Sequence, residues 1–101
     1  MVIVAGYVTV EPQVRDSYVA GCVRIVEQGR AAAGCLGLAV SADLTDPARV
    51  NIYERWESQG NLEAHRSHAP GPEHEAEMLT MSVAEYDIAD VRSLFGDQAG
   101  S

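Results

Sequence analysis

Two stretches of this chain are apolar on consecutive residues, Val2-Ile3-Val4-Ala5 and Leu36-Gly37-Leu38-Ala39-Val40. Successive side chains of a β-strand point to opposite faces of the sheet, so strands written this way present apolar groups on both sides. The remaining periodic segments supply two helical regions, and two helices cover only one face. The other face needs a second apolar surface, which another copy of the same sheet related by a two-fold axis would provide. A homodimer is therefore the expected assembly.

The order of elements follows from the same patterning. Residues 2–10 are rich in β-branched side chains and stop at Glu11-Pro12, where proline can open a helix but cannot continue a ladder. From Pro12 to about Ala33 the residues Val14, Tyr18, Val19, Cys22, Ile25 and Val26 recur at three- and four-residue steps, which predicts one long amphipathic helix ended by Gly34. Residues 35–42 and 49–57 read as a hairpin around the turn residues Asp43 to Pro47. Ser58 is placed to cap a helix running from Gln59 through Leu62 and His65; Ala69-Pro70-Gly71-Pro72 interrupts it, and Glu73 to Thr80 reads as its resumption. Met81 to Val91 alternates like a fourth strand. The sum is a βαββαβ chain of the α+β class, a ferredoxin-like four-stranded antiparallel sheet with both helices on one face, as a single domain over residues 1–92 with a loose tail over 93–101.

Composition narrows the function classes. Fifteen acidic against seven basic residues give a net charge of −8, which repels a phosphate backbone and argues against nucleic acid. No apolar run approaches the roughly eighteen residues a bilayer crossing needs, and the start carries no basic flank, so a soluble, unprocessed protein without membrane contact is expected. Cys22 and Cys35 show no CxxC spacing and no Asn-x-Ser/Thr acceptor accompanies them, consistent with a cytoplasmic location. Cys22 shares a helical face with Tyr18 and Val26 and reads as core filling. His65, His68 and His74 are spaced by three and six residues across the proline-rich break, unlike a zinc pair four apart on one helix, so no metal is expected. Gly29, Gly34 and Gly37 lack the Gly-Lys-Ser/Thr ending of a phosphate cradle.

Val10-Glu11-Pro12, Ala33-Gly34-Cys35-Leu36-Gly37, Tyr53-Glu54-Arg55-Trp56-Glu57-Ser58 and Leu62-Glu63-Ala64-His65-Arg66 together resemble the antibiotic biosynthesis monooxygenase family, over roughly residues 2–91. The resemblance implies a dimeric α+β barrel and oxidation of phenolic polyketides or related quinols by molecular oxygen without metal or flavin. Relatives of that family degrade haem. Where its quinone-forming members carry Asn, Tyr and Arg, this chain has Ile52, Leu62 and about Ala76, and only Trp56 matches; Asn51 is one residue off and points to the opposite face. The first-strand Asn of the haem-degrading members falls at Gly6, which argues against haem.

The even positions Val4, Gly6, Val8 and Val10 form the smoother apolar row and are expected under the helices, with Gly6 leaving space for a pocket. Val50, Ile52, Glu54 and Trp56 share one face of their strand, and the resemblance turns Trp56 toward the helices, so Glu54 also points inward. Helical spacing brings His65 and Arg66 near Leu62 on the same wall. His65 and Glu54 are the candidate catalytic residues, a carboxylate tuning an imidazole into a general base; the alternative is a structural hydrogen bond tying strand to helix. Trp56, Ile52, Gly6, Leu62 and Arg66 are the candidate substrate contacts. The expected function is a cofactor-independent monooxygenase acting on an aromatic or polyketide-like phenol or quinol. A non-oxidative cyclase or isomerase, or a binding domain without turnover, are the alternatives.

Overall fold

The computed structural model describes residues 1–68 and 77–96. Strand β1 spans Val2–Val10, helices α1 and α2 span Arg15–Gly21 and Val23–Ala31, β2 spans Cys35–Ala42, β3 Arg49–Trp56, α3 Gln59–His68 and β4 Met78–Asp87. The sheet order is β2-β3-β1-β4, every neighbouring pair antiparallel, which is the ferredoxin-like α+β arrangement.

Two segments differ from the expectation. The helix over residues 12–33 is not continuous: a 3-10 turn at Pro12–Val14 leads into α1, and Cys22 separates α1 from α2. At that joint the Cys22 N–H bonds back to Val19 rather than Tyr18, one turn of tighter winding next to the poor helix former Gly21. The second difference is at Met78 to Thr80, which pair with β1 as strand instead of resuming a helix. A register shift between Thr9 and Val10 accommodates the added residues, and β4 ends at Asp87. The proline-rich break at 69–72 and the expected helical resumption at 73–76 lie outside the described residues, as does the tail over 97–101.

Ser58 caps α3 as anticipated: its Oγ accepts from the Asn61 N–H at 3.1 Å and donates to Asn61 Oδ1 at 2.6 Å. Gly34 sits at φ +81 with Asn61 packed where a Cβ would stand, so the end of α2 and the start of α3 are fitted to each other. Asp43 organises the hairpin turn by accepting from Asn51 Nδ2 at 2.8 Å and from the Asp46 and Thr45 N–H groups at 2.9 and 3.1 Å.

Alternation along the strands separates two environments. Val2, Val4, Val8 and Val10 of β1 and Val50 and Trp56 of β3 are buried against the helices. The core divides into one cluster holding Val2, Val4, Leu38, Trp56 and Leu62 and another holding Val8, Val10, Tyr18, Cys22 and Val50. Gly6 falls between them on β1, where the apolar row skips a side chain. On the opposite face lie Ile3, Ala5 and Tyr7, with Tyr53 and Tyr86 exposed and Arg49 stacked 4.0 Å over the Tyr7 ring.

Two outcomes follow from this architecture. Gly6 adopts φ +155, and a Cβ there would come within 2.0 Å of the Ser82 carbonyl oxygen of β4. Gly6→Ala should therefore cost about 3 kcal/mol or more, from backbone strain and overpacking together, read as a lowered denaturant midpoint. The hydrogen bonds from Asn51, Asp46 and Thr45 hold the Asp43 carboxyl well below the usual carboxylate range. Its stabilisation is complete above the unfolded value of about 3.9 and fades as pH falls toward the lower native value. Thermal melts of Asp43→Asn should accordingly show a shallower loss of stability below about pH 4 than the wild type.

Candidate functional site

A cavity of about 190 Å³ lies where the two core clusters meet, between the helices and the sheet. Its floor is sheet: Val8 of β1, Leu38 and Val40 of β2, and Ile52 and Glu54 of β3. Register explains the grouping, since Val40 pairs with Ile52 and Leu38 with Glu54, so all four point the same way as the buried Val50 and Trp56. The α1–α2 joint roofs it with Tyr18, Cys22 and Ile25, the stripe that three- and four-residue spacing puts on one helical side. His65 closes one end and the thioethers of Met78 and Met81 the other.

The polar end is held by Trp56. This fully buried indole donates from Nε1 to Glu54 Oε1 at 2.9 Å, and the His65 ring stacks on it with centroids 4.9 Å apart and planes 29° from parallel. Glu54 and His65 thus come to the same cavity but are joined through the indole; among the described residues no hydrogen bond links them directly. His65 also borders a groove of about 400 Å³ on the outer surface, beside Asn61 and His68, so its ring stands between the interior and solvent. Burial, then the neighbouring Cys22 thiol and Glu77, push the Tyr18 hydroxyl above its ordinary value, and burial raises the Cys22 thiol too, so both face the cavity protonated at neutral pH.

The remaining expected site residues separate. Ile52 is in the cavity floor, whereas Leu62 is fully buried in the core cluster around Trp56 and touches the site only by supporting that ring. Gly6 does not line this cavity; the space its missing side chain frees is taken by the β4 backbone, and it borders the outer face of the sheet. Arg66 turns away to pair with Glu85 of β4 at 2.5 Å on the surface, one helical step beyond the wall that His65 occupies. Tyr18, Cys22, Ile25, Met78 and Met81 line the cavity although their positions in the sequence mark none of them as a site residue. The helical stripe of Tyr18, Cys22 and Ile25 was visible, but that it roofs a void rather than filling one depends on the depth to which the helices sit. No group of three His, Cys, Asp or Glu side chains that could hold a metal ion occurs among the described residues, and His74 lies outside them.

Residues 1–77 match the family model of the antibiotic biosynthesis monooxygenases. A solved protein of Deinococcus radiodurans bearing that family name superposes with a TM-score of 0.80 at 24% identity, covering 95% of this chain and 100% of that one. One from Nitrosomonas europaea, with the same family name, gives 0.76 at 15% identity over 89% and 100%. A Mycobacterium tuberculosis protein gives 0.75 at 23% identity over 91% and 98%. No curated protein matches the chain. With the family model spanning most of the sequence and the same fold found in all three structures, this chain belongs to the antibiotic biosynthesis monooxygenase family.

Proposed function

We propose that the cavity carries out cofactor-independent monooxygenation of a small phenol or quinol, with His65 as general base. The observation that supports it most is the position of His65, one side on an apolar cavity and the other on a surface groove, with its ring fixed by the Trp56 stack. A base so placed takes the phenolic proton inside and exchanges it with water outside. The electron-rich phenolate then bonds dioxygen at a hydrogen-bearing ring carbon, para to its oxygen in a phenol and ortho to it in a 1,4-quinol. Loss of that carbon's proton with cleavage of the O–O bond leaves a quinone carbonyl, and the distal oxygen departs with the two protons as water. The ring supplies all four electrons, so this stoichiometry calls for no external reductant. Glu54, oriented by the indole N–H, accepts a second hydrogen bond from substrate, and the apolar walls keep the phenolate desolvated and reactive.

A homodimer is part of the same reading. The sheet face opposite the helices carries Ile3, Ala5, Tyr7, Tyr53 and Tyr86, and Arg55 Nε on that face is screened from solvent without a hydrogen-bond partner among the described residues. A second copy laid face to face would bury those rings.

Sedimentation at micromolar concentration should give about twice the mass of the chain; a stable monomer would remove the dimer from the proposal. Oxygen uptake with phenols and hydroquinones tests the chemistry, and product formed without oxygen uptake would point instead to a cyclase or isomerase. His65→Ala should lower turnover by roughly 10²- to 10⁴-fold, the usual contribution of a general base, while the lost ring stack costs about 1 kcal/mol of stability. A destabilised but fully active variant would end the catalytic role of His65.

A further inference from the structure

We infer that this cavity selects neutral, single-ring hydroxyarenes and rejects both fused polycyclic compounds and aromatic acids. The inference deepens the reading of the cavity as the substrate site and rests on it. Size limits the occupant. Pockets for drug-sized ligands run from about 300 to 1,000 Å³, while an apolar cavity of about 150 Å³ is enough to take up benzene. At about 190 Å³ the present cavity holds one substituted ring, and a three-ring skeleton exceeds it.

Charge restricts the occupant independently of size. Among the described residues no Lys or Arg lines the cavity, and the polar groups that do are Glu54, His65, the Tyr18 hydroxyl and the Cys22 thiol. Glu54 Oε1 is taken by the indole N–H, and Oε2 accepts no hydrogen bond among the described residues. A hydroxyl donor satisfies that oxygen. An aromatic carboxylate would meet the Glu54 carboxylate in an apolar surrounding, with no Lys or Arg among the described lining residues to offset it.

Ring size is set by side chains that can be altered singly. Ile52 is half-buried in the floor, so shortening it enlarges the cavity on the sheet side.

The test uses the full-length wild-type protein and the fluorescence of Trp56, the chain's single tryptophan, which contacts both Glu54 and His65. Phenol, hydroquinone, 4-hydroxybenzoate and a dihydroxyanthracene are titrated without turnover, under anaerobic conditions. Saturable quenching by the two single-ring neutral compounds, with at least tenfold weaker binding of the acid and of the fused ring, is the expected result. Comparable or tighter binding of either excluded class, or no saturable response to any compound, overturns the inference. Glu54→Gln should weaken hydroquinone by about tenfold and narrow the gap to 4-hydroxybenzoate; Ile52→Ala should admit a two-ring naphthol that the wild type excludes. Should the variants prove unstable, the wild-type ranking still decides. Aerobic oxygen uptake separates the two readings: discrimination without uptake leaves this inference standing and removes the monooxygenase, whereas uptake with the fused ring alone does the reverse.

Discussion

Trp56 holds the site together through two different forces. Its ring is wholly buried among Val2, Val4, Leu38 and Leu62, and burying an aromatic of this size contributes on the order of 2 to 3 kcal/mol, which fixes where α3 lies on the sheet. Its one polar atom must then find an acceptor, and Glu54, two residues earlier on the same face of β3, is within reach. The indole face left over receives His65 from α3. A carboxylate from the sheet and an imidazole from a helix are thereby aimed at one space by a residue that does not line it.

That space exists because the core is built as two clusters rather than one. Gly6 interrupts the apolar row of β1, and its positive φ with the close approach of Ser82 makes the interruption a requirement of β4 pairing. The α1–α2 joint at Cys22 lies over the same region, with Tyr18 and Cys22 in the second cluster and Val26 against the first. Methionines complete the wall at the mouth, where unbranched side chains adapt to an occupant with little strain.

Set against the quinone-forming pattern, in which polar residues stand at the positions of Ile52 and Leu62, this cavity gathers its carboxylate and imidazole at the Trp56 end. Leu62 is core and Ile52 an apolar floor, so the proposed chemistry rests on Glu54 and His65. On the proposed reading, specificity comes from volume and from a lining without Lys or Arg among the described residues, which together suit a substrate whose reactivity lies in its own electron-rich ring.

The strands, their faces and the βαββαβ order were legible from the sequence, because period-two alternation and the turn residues at Pro12, Gly34 and Asp43 to Pro47 act locally. The inward row of Val50, Ile52, Glu54 and Trp56 followed from the same period, and the three-residue step from Leu62 to His65 placed the histidine near it. What the sequence left open was settled by long-range contacts. A break at Cys22 and the extension of β4 back to Met78 cost little in local propensity and depend on what each segment packs against. Whether Glu54 bonds to His65 or to Trp56, whether Arg66 faces the cavity or Glu85, and whether Gly6 opens a pocket or admits a neighbouring backbone are matters of ångströms between residues far apart in the chain. Periodicity assigns a side chain to a face; only the packing of α3 and β4 against that face decides which atom it meets.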